Sequence, residues 1–195
     1  MNSTANTVEP GKQAIKPALE VIGKRFSPKA FSPEAIDQDT LDSIMTASTY
    51  APSCFNEQPW RYRLFFRSTG EYNKMLALLS ASNQEWAKNA PVLVLGYTKK
   101  HFDRTGEENH YIMYDLGQSV AHLTLEAMEH GVYTHQMGGF DRKKATQTFS
   151  IGEEFTIAVV IAMGKLNTDL IGDIDKNSVA ARRKRKSLKD ILIKD

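Results

Sequence analysis

Two clusters in this 195-residue chain carry side chains whose types and spacing suit binding chemistry. The first is Arg25, Ser27 and Lys29, in a stretch from Lys24 to Phe31 whose proline and serine content marks a loop. On an extended backbone alternate side chains point the same way, so two cations and a hydroxyl would converge. Arg supplies a bidentate fork, which makes the group a candidate anion pocket; a solvated basic loop is the plainer alternative. The second cluster is Ala51-Pro52-Ser53-Cys54-Phe55-Asn56-Glu57-Gln58-Pro59-Trp60, the densest run of special residues in the chain. Its compact polar groups could line a ligand, or it could be a helix exit whose Trp60 plugs the core.

Other candidates are weaker. His122, Glu126 and His130 share a helical face, but metal sites of that type gather ligands from several elements. Local Glu–His pairing, with His130 against a helix C-terminus, is the expected role. Cys54 is the single cysteine, which excludes an intrachain disulfide framework and a multi-cysteine metal site. As a nucleophile it would need a base, and no histidine lies in its segment, so packing is its expected role. Gly138-Gly139, ending the short strand-like run Val132 to Met137, marks a tight turn or a place where backbone approaches something closely. No Gly-x-Gly-x-x-Gly is present, so a Rossmann site is not indicated.

The elements that must position these groups can be read in outline. Ile15, Leu19 and Ile22 fall at helical spacing and Gly23 reads as a stop. Leu41, Ile44, Met45 and Ser48 predict a helix capped by Asp37 or Asp39 and ended by Pro52. Strands are predicted at 61–67, 92–98, 132–137 and 155–163, the last closed by Gly164. A helix begins at Gly70 with Tyr72, Met75, Leu76 and Leu79 on one face. A short helix follows, with Asn83 at its start and Trp86 within it. Residues 107–130 predict the longest helix, apolar over a wide arc and stopped by Gly131, suited to a central or interface position.

Length and composition predict one domain, with residues 1–10 fraying and about 165–195 forming a C-terminal extension. The five cations from Arg182 to Lys186 exceed the net charge of +2, so the rest of the chain is net acidic and has no basic surplus for nucleic acid. The first residues lack a basic start and an apolar core, and no apolar run approaches the roughly 20 residues that span a bilayer. A cytoplasmic address without membrane contact is the simplest expectation.

Ala-Pro-Ser-x-x-Asn-x-Gln-Pro-Trp at 51–60 resembles the signature of the FMN-dependent nitroreductases, and Arg25 to Phe31 is similar to their opening Arg-x-Ser-x-(Arg/Lys)-x-Phe. The resemblance runs from about residue 20 to the end. It implies an α+β fold, a mixed sheet packed between helices, whose C-terminal extension crosses to a second subunit. It also implies a homodimer with FMN at the interface. Arg25, Phe26, Ser27 and Lys29 would hold FMN, with Arg183 and Arg185 reaching its phosphate. Ser187 stands where the family has proline, so that register is open by a residue or two. Asn83 would meet the flavin's pyrimidine edge. Gln136, Met137, Gly138 and Gly139 would lie along the ring, one glycine N–H facing N5. Pro52, Ser53, Cys54 and Asn56 would face the FMN held mainly by the other chain.

By the same resemblance no protein residue is catalytic: hydride from NADH or NADPH passes through flavin N5 to a small acceptor such as a nitroaromatic or quinone. Trp86 and Gly138 depart from the lysine and glutamate of some relatives. A flavin-binding relative used for storage or sensing is the nearest alternative, and a nucleic-acid-binding module using the basic tail a further one.

Overall fold

The computed structural model describes residues 19–169 and 185–193. Four strands form one sheet: β1 (Trp60–Phe66), β2 (Val92–Lys99), β3 (Val132–Met137) and β4 (Phe155–Lys165). Their order is β1-β2-β4-β3, and every pairing is antiparallel. This corrects the expectation of a mixed sheet, among the described residues. Strands β2 and β3 do run in the same sense, because the long helix α5 (Ile112–Glu129) carries the chain from one to the other. Strand β4 lies between them and pairs antiparallel with both.

The sheet is covered on both faces, as the continuous apolar run of β2 requires. Val92 and Val94 point to one side, against Leu41 and Ile44 of α2 (Gln38–Thr49) and Leu116, Val120 and Leu123 of α5. Leu93 and Leu95 point to the other, against Tyr72 and Met75 of α3 (Gly70–Leu78) and Trp86 of α4 (Ala81–Ala87). Ala145 of α6 (Arg142–Thr148) completes that layer.

The helix ends follow local chemistry. Asp37 caps α2, its carboxylate accepting from the Thr40 N–H at 2.9 Å. Asp141 caps α6 in the same way through the Lys144 N–H, at 2.9 Å. Helix α5 stops where expected, with Gly131 in the left-handed region at φ 67°. It starts later than expected, because residues 100–109 turn back on themselves: the Asn109 N–H donates to the Lys100 carbonyl at 2.8 Å.

Two glycine stops do not hold. The first described helix, α1 (Glu20–Lys24), runs through Gly23, and the Arg25 N–H closes it on the Val21 carbonyl at 2.9 Å. Residues 12–18 of the predicted helix lie outside the described residues. Strand β4 likewise runs through Gly164 to Lys165. A Cβ at Gly164 would stand 2.6 Å from Pro91 Cδ, so this glycine serves the close passage of Pro91 and not the end of a strand. A last helix, α7 (Leu188–Ile191), follows the basic cluster. Among the described residues no helix is long and apolar enough to cross a membrane.

Candidate functional site

The loop after α1 is seated by every second residue. The Phe26 ring packs on Tyr133 of β3 at 5.2 Å between centroids, and the Pro28 carbonyl meets His135 Nδ1 at 2.8 Å. The Ala30 carbonyl accepts from Asn167 N–H at 3.1 Å, and Phe31, fully buried, bridges to Leu166 just beyond β4. Arg25, Ser27 and Lys29 alternate with these seated residues. Lys29 is exposed and the other two are half-buried. Arg25 Nη1 reaches Ser27 Oγ at 3.4 Å, a long contact that nonetheless draws the guanidinium and the hydroxyl to one place.

Asn83 and the glycine turn meet. Asn83 sits in the first turn of α4 and not at its cap: Ser80 holds that place, its carbonyl accepting from the Asn83 N–H at 2.9 Å. The Asn83 side chain is thereby free of capping duty, and its Nδ2 donates to the Gly139 carbonyl at 3.3 Å. The same carbonyl accepts from the Ser80 N–H at 2.9 Å. A Cβ at Gly139 would lie 3.1 Å from Ser80 Oγ and 3.2 Å from Asn83 Nδ2, tighter than the contact tolerates without adjustment. At Gly138 a Cβ would meet only Arg142 Nη2, at 4.0 Å, so this backbone faces open space. Gln136 is exposed on β3. Met137 is core, its side chain buried in the layer with α3 and α6, so that residue can offer a ligand only its backbone.

Trp86 joins these pieces. It is buried, stacks 6.0 Å from Phe31 of the Arg25 loop and lies 4.4 Å from the imidazole of His135. One indole therefore fixes the loop, α4 and β3 relative to one another. Its Nε1 is buried without a hydrogen-bond partner among the described residues.

The contacts of the Pro52–Asn56 segment run elsewhere, to α5 and to the loop that precedes it. Gln118 Nε2 donates to the Pro52 carbonyl at 3.4 Å, and the Cys54 N–H donates to Asp115 at 3.1 Å. Ser53 Oγ accepts from the Gln58 N–H at 2.9 Å. Beneath the segment, Tyr62 and Ser119 hydroxyls lie 2.7 Å apart and Ser119 donates to the Ser48 carbonyl at 2.8 Å. Burial pushes the Tyr62 phenol up to about 12, so it stays a neutral hydrogen-bonding group at ordinary pH. Trp60 does plug the core. The backbone between is unusual: Phe55, Asn56 and Gln58 have φ of 51°, 57° and 50°, a left-handed conformation that bulky residues rarely adopt.

Asp115 was not singled out from the sequence. Its signal was there: an acid on the stripe of α5 that buries Leu116, Ser119 and Leu123. Burial raises its carboxyl pKa above the usual range, and the hydrogen bond from Cys54 only partly opposes this.

The expected local pairing on α5 is present. Glu126 lies 3.1 Å from His130 and accepts from Ser43 Oγ at 2.9 Å. Among the described residues no group of three or more His, Cys, Asp or Glu could hold a metal ion. Arg183 lies outside the described residues. Arg185 is exposed just ahead of α7, where Ser187 and Asp190 form a capping box, Ser187 N–H donating to Asp190 at 2.9 Å. Ser187 thus stands at the start of α7 in a capping role.

An antiparallel sheet between two helical layers, with a basic loop, an asparagine and a glycine turn set along its β3 edge, defines an α+β protein. A model of the nitroreductase family matches residues 22–80 and 65–165. The chain belongs to that family. A crystal structure described as an oxidoreductase containing FMN is 27% identical, superposes with a TM-score of 0.82 and is covered over 96% of each chain. A nitroreductase, provisionally so described, from Desulfovibrio desulfuricans was solved in complex with FMN. It shares the fold at a TM-score of 0.73 and 19% identity, over 93% of this chain and 98% of that one. The Bacillus subtilis (strain 168) protein YdgI, provisionally described as an NAD(P)H nitroreductase, is 24% identical over 164 residues, 66% of this chain and 78% of that one.

Proposed function

We propose that this protein is an FMN-dependent NAD(P)H oxidoreductase. The observation that carries the reading is that the Arg25 loop, Asn83 and the Gly138–Gly139 turn all lie along the β3 edge of the sheet, joined by Trp86. The donor set suits FMN. Arg25, Ser27 and Lys29 offer two cations and a hydroxyl to a phosphate-bearing anion, and charge-assisted hydrogen bonds of that kind are the strong ones. The open backbone at Gly138 leaves room for a flat ring to approach.

Bound FMN would supply the redox chemistry, accepting hydride from NADH or NADPH at N5 and passing it to a second small molecule, a nitroaromatic or quinone, at the same position. The chain binds and orients. Arg25 and Ser27, with Arg183 and Arg185 from the C-terminal segment, hold the phosphate. Lys29 brings positive charge to the pyrimidine edge, where it stabilises negative charge that develops on reduction. Asn83 keeps an amide oxygen and its second N–H for that edge. Gly138 or Gly139 contributes a backbone N–H at N5.

The same reading makes the protein a cytoplasmic homodimer. Pro52, Ser53, Cys54 and Asn56 are held by α5, away from the Arg25 loop, which supports their serving the partner's FMN. The exposed Leu188, Ile191, Leu192 and Ile193 support a C-terminal extension that packs on a second subunit.

The test is the visible spectrum of the purified protein before and after NADH or NADPH is added without oxygen. A yellow protein that bleaches is expected. Yellow without bleaching would make it a flavin-storing or sensing relative. A colourless protein that takes up no added FMN would overturn the assignment.

A further inference from the structure

Phe55 is 80% exposed, at the centre of the best-defined motif in the chain. Neither the core nor the backbone accounts for it. Its ring plugs nothing, and its φ of 51° is one that Gly or Asn adopts with far less strain than a bulky aromatic. Yet the ring is braced. Phe102 lies 5.8 Å away at 74°, an edge-to-face arrangement that leaves an aromatic face open. Phe102 is itself fixed, because the next residue, Asp103, donates its N–H to Glu57 at 2.6 Å and pairs with Lys99. On the other side of Phe55 the Cys54 N–H is held by Asp115, and Gln58 is held by Ser53. An exposed ring pinned from both sides is a built surface.

We infer that Phe55 and Phe102 form an aromatic platform that stacks a flat acceptor and so sets the acceptor preference of the site; this rests on the function proposed above. The Pro52–Asn56 segment is the part of the chain proposed to face the partner's FMN, and Phe55 is its one large apolar group. A planar bicyclic quinone offers a π-face to match the open ring. A compact octahedral anion such as ferricyanide offers none.

The experiment compares menadione with ferricyanide in the full-length holoprotein at saturating NAD(P)H, with rates expressed per bound flavin. Phe55→Ala is expected to lower the ratio of kcat/KM for menadione over that for ferricyanide by several-fold to about tenfold, mainly through the menadione KM, in line with the loss of one aromatic stack. Phe55→Trp is expected to restore the ratio. Phe102→Ala, which removes the brace, is expected to move it in the same direction by less. A ratio unchanged in Phe55→Ala overturns the inference. So does a change in oligomeric state on gel filtration, which would make the ring a subunit contact. A wild-type protein that is yellow and bleaches but shows an unchanged ratio in the variant sinks this inference alone. One that holds no flavin sinks the proposed function with it.

Discussion

The indole of Trp86 and the imidazole of His135 lie 4.4 Å apart, and His135 in turn holds the Pro28 carbonyl at 2.8 Å. Through this contact a residue on α4 and a residue on β3 together seat the loop that carries Arg25, Ser27 and Lys29. Trp86 is thus given to packing, and Lys29 is the cation proposed for the flavin ring.

Trp86→Ala is expected to cost about 3–5 kcal/mol of stability, the range for removing a buried aromatic. It should appear in urea unfolding as a lower midpoint with the slope preserved. FMN retention should fall as well, because the loop loses its seat. A variant that loses stability and keeps its flavin undiminished would separate the packing of Trp86 from the placement of the loop.

Arg25→Ala should weaken FMN binding by about 10- to 100-fold, since it removes a charge-assisted contact of roughly 1.5–3 kcal/mol. Arg25 closes α1 through its backbone N–H, which alanine keeps, so the thermal midpoint of the apoprotein serves as the control. Fluorescence titration of apoprotein with FMN measures the loss. Undiminished affinity would remove Arg25 from the phosphate site.

Gly164→Ala should destabilise the protein although it adds a better strand former. Its new Cβ would stand 2.6 Å from Pro91 Cδ and 3.3 Å from the Phe31 ring, and neither a proline ring nor a fully buried phenylalanine can give way cheaply. Overpacking of this kind costs typically 1–3 kcal/mol. Calorimetry showing an unchanged or raised melting temperature would mean that the Pro91 turn shifts freely.

Much of the fold was legible because local rules agreed with the tertiary outcome. The acidic cap of α2 (Asp37 or Asp39), the doubly apolar β2 and the Gly131 stop were all legible within a few residues of themselves. Two of the failures share a cause. Gly164 read as a stop, but what stands beside it is Pro91, far away in sequence. The antiparallel sheet depended on β4 inserting between β2 and β3, which no local pattern announces. In the site, the alternation of Arg25, Ser27 and Lys29 could be foreseen from a period of two. The seating of their loop by Trp86 and His135 could not, nor the Phe55–Phe102 pair, because each joins elements distant in the chain.

Asp115 is the clearest case of a hidden long-range tie, and its charge makes it testable. The side chain is 1% exposed and accepts from the Cys54 N–H, 61 residues earlier, at 3.1 Å. Burial raises its pKa above the ordinary 3.8, and the hydrogen bond does not cancel the effect. Between 3.8 and the raised folded value, folding takes up a proton, so the contribution of Asp115 to stability is fullest at low pH and declines as pH rises through the folded pKa. As pH rises, ionising this carboxylate inside the fold therefore costs stability. Asp115→Asn keeps an oxygen for the Cys54 N–H and drops the charge. It is expected to match or exceed the wild type in urea unfolding at pH 7, with the difference shrinking toward pH 4. Asp115→Ala strands a buried N–H and should cost about 1–3 kcal/mol at either pH. If the Asn variant at pH 7 were as unstable as the Ala variant, the Cys54 N–H would require a charged acceptor, and the hydrogen bond would outweigh desolvation.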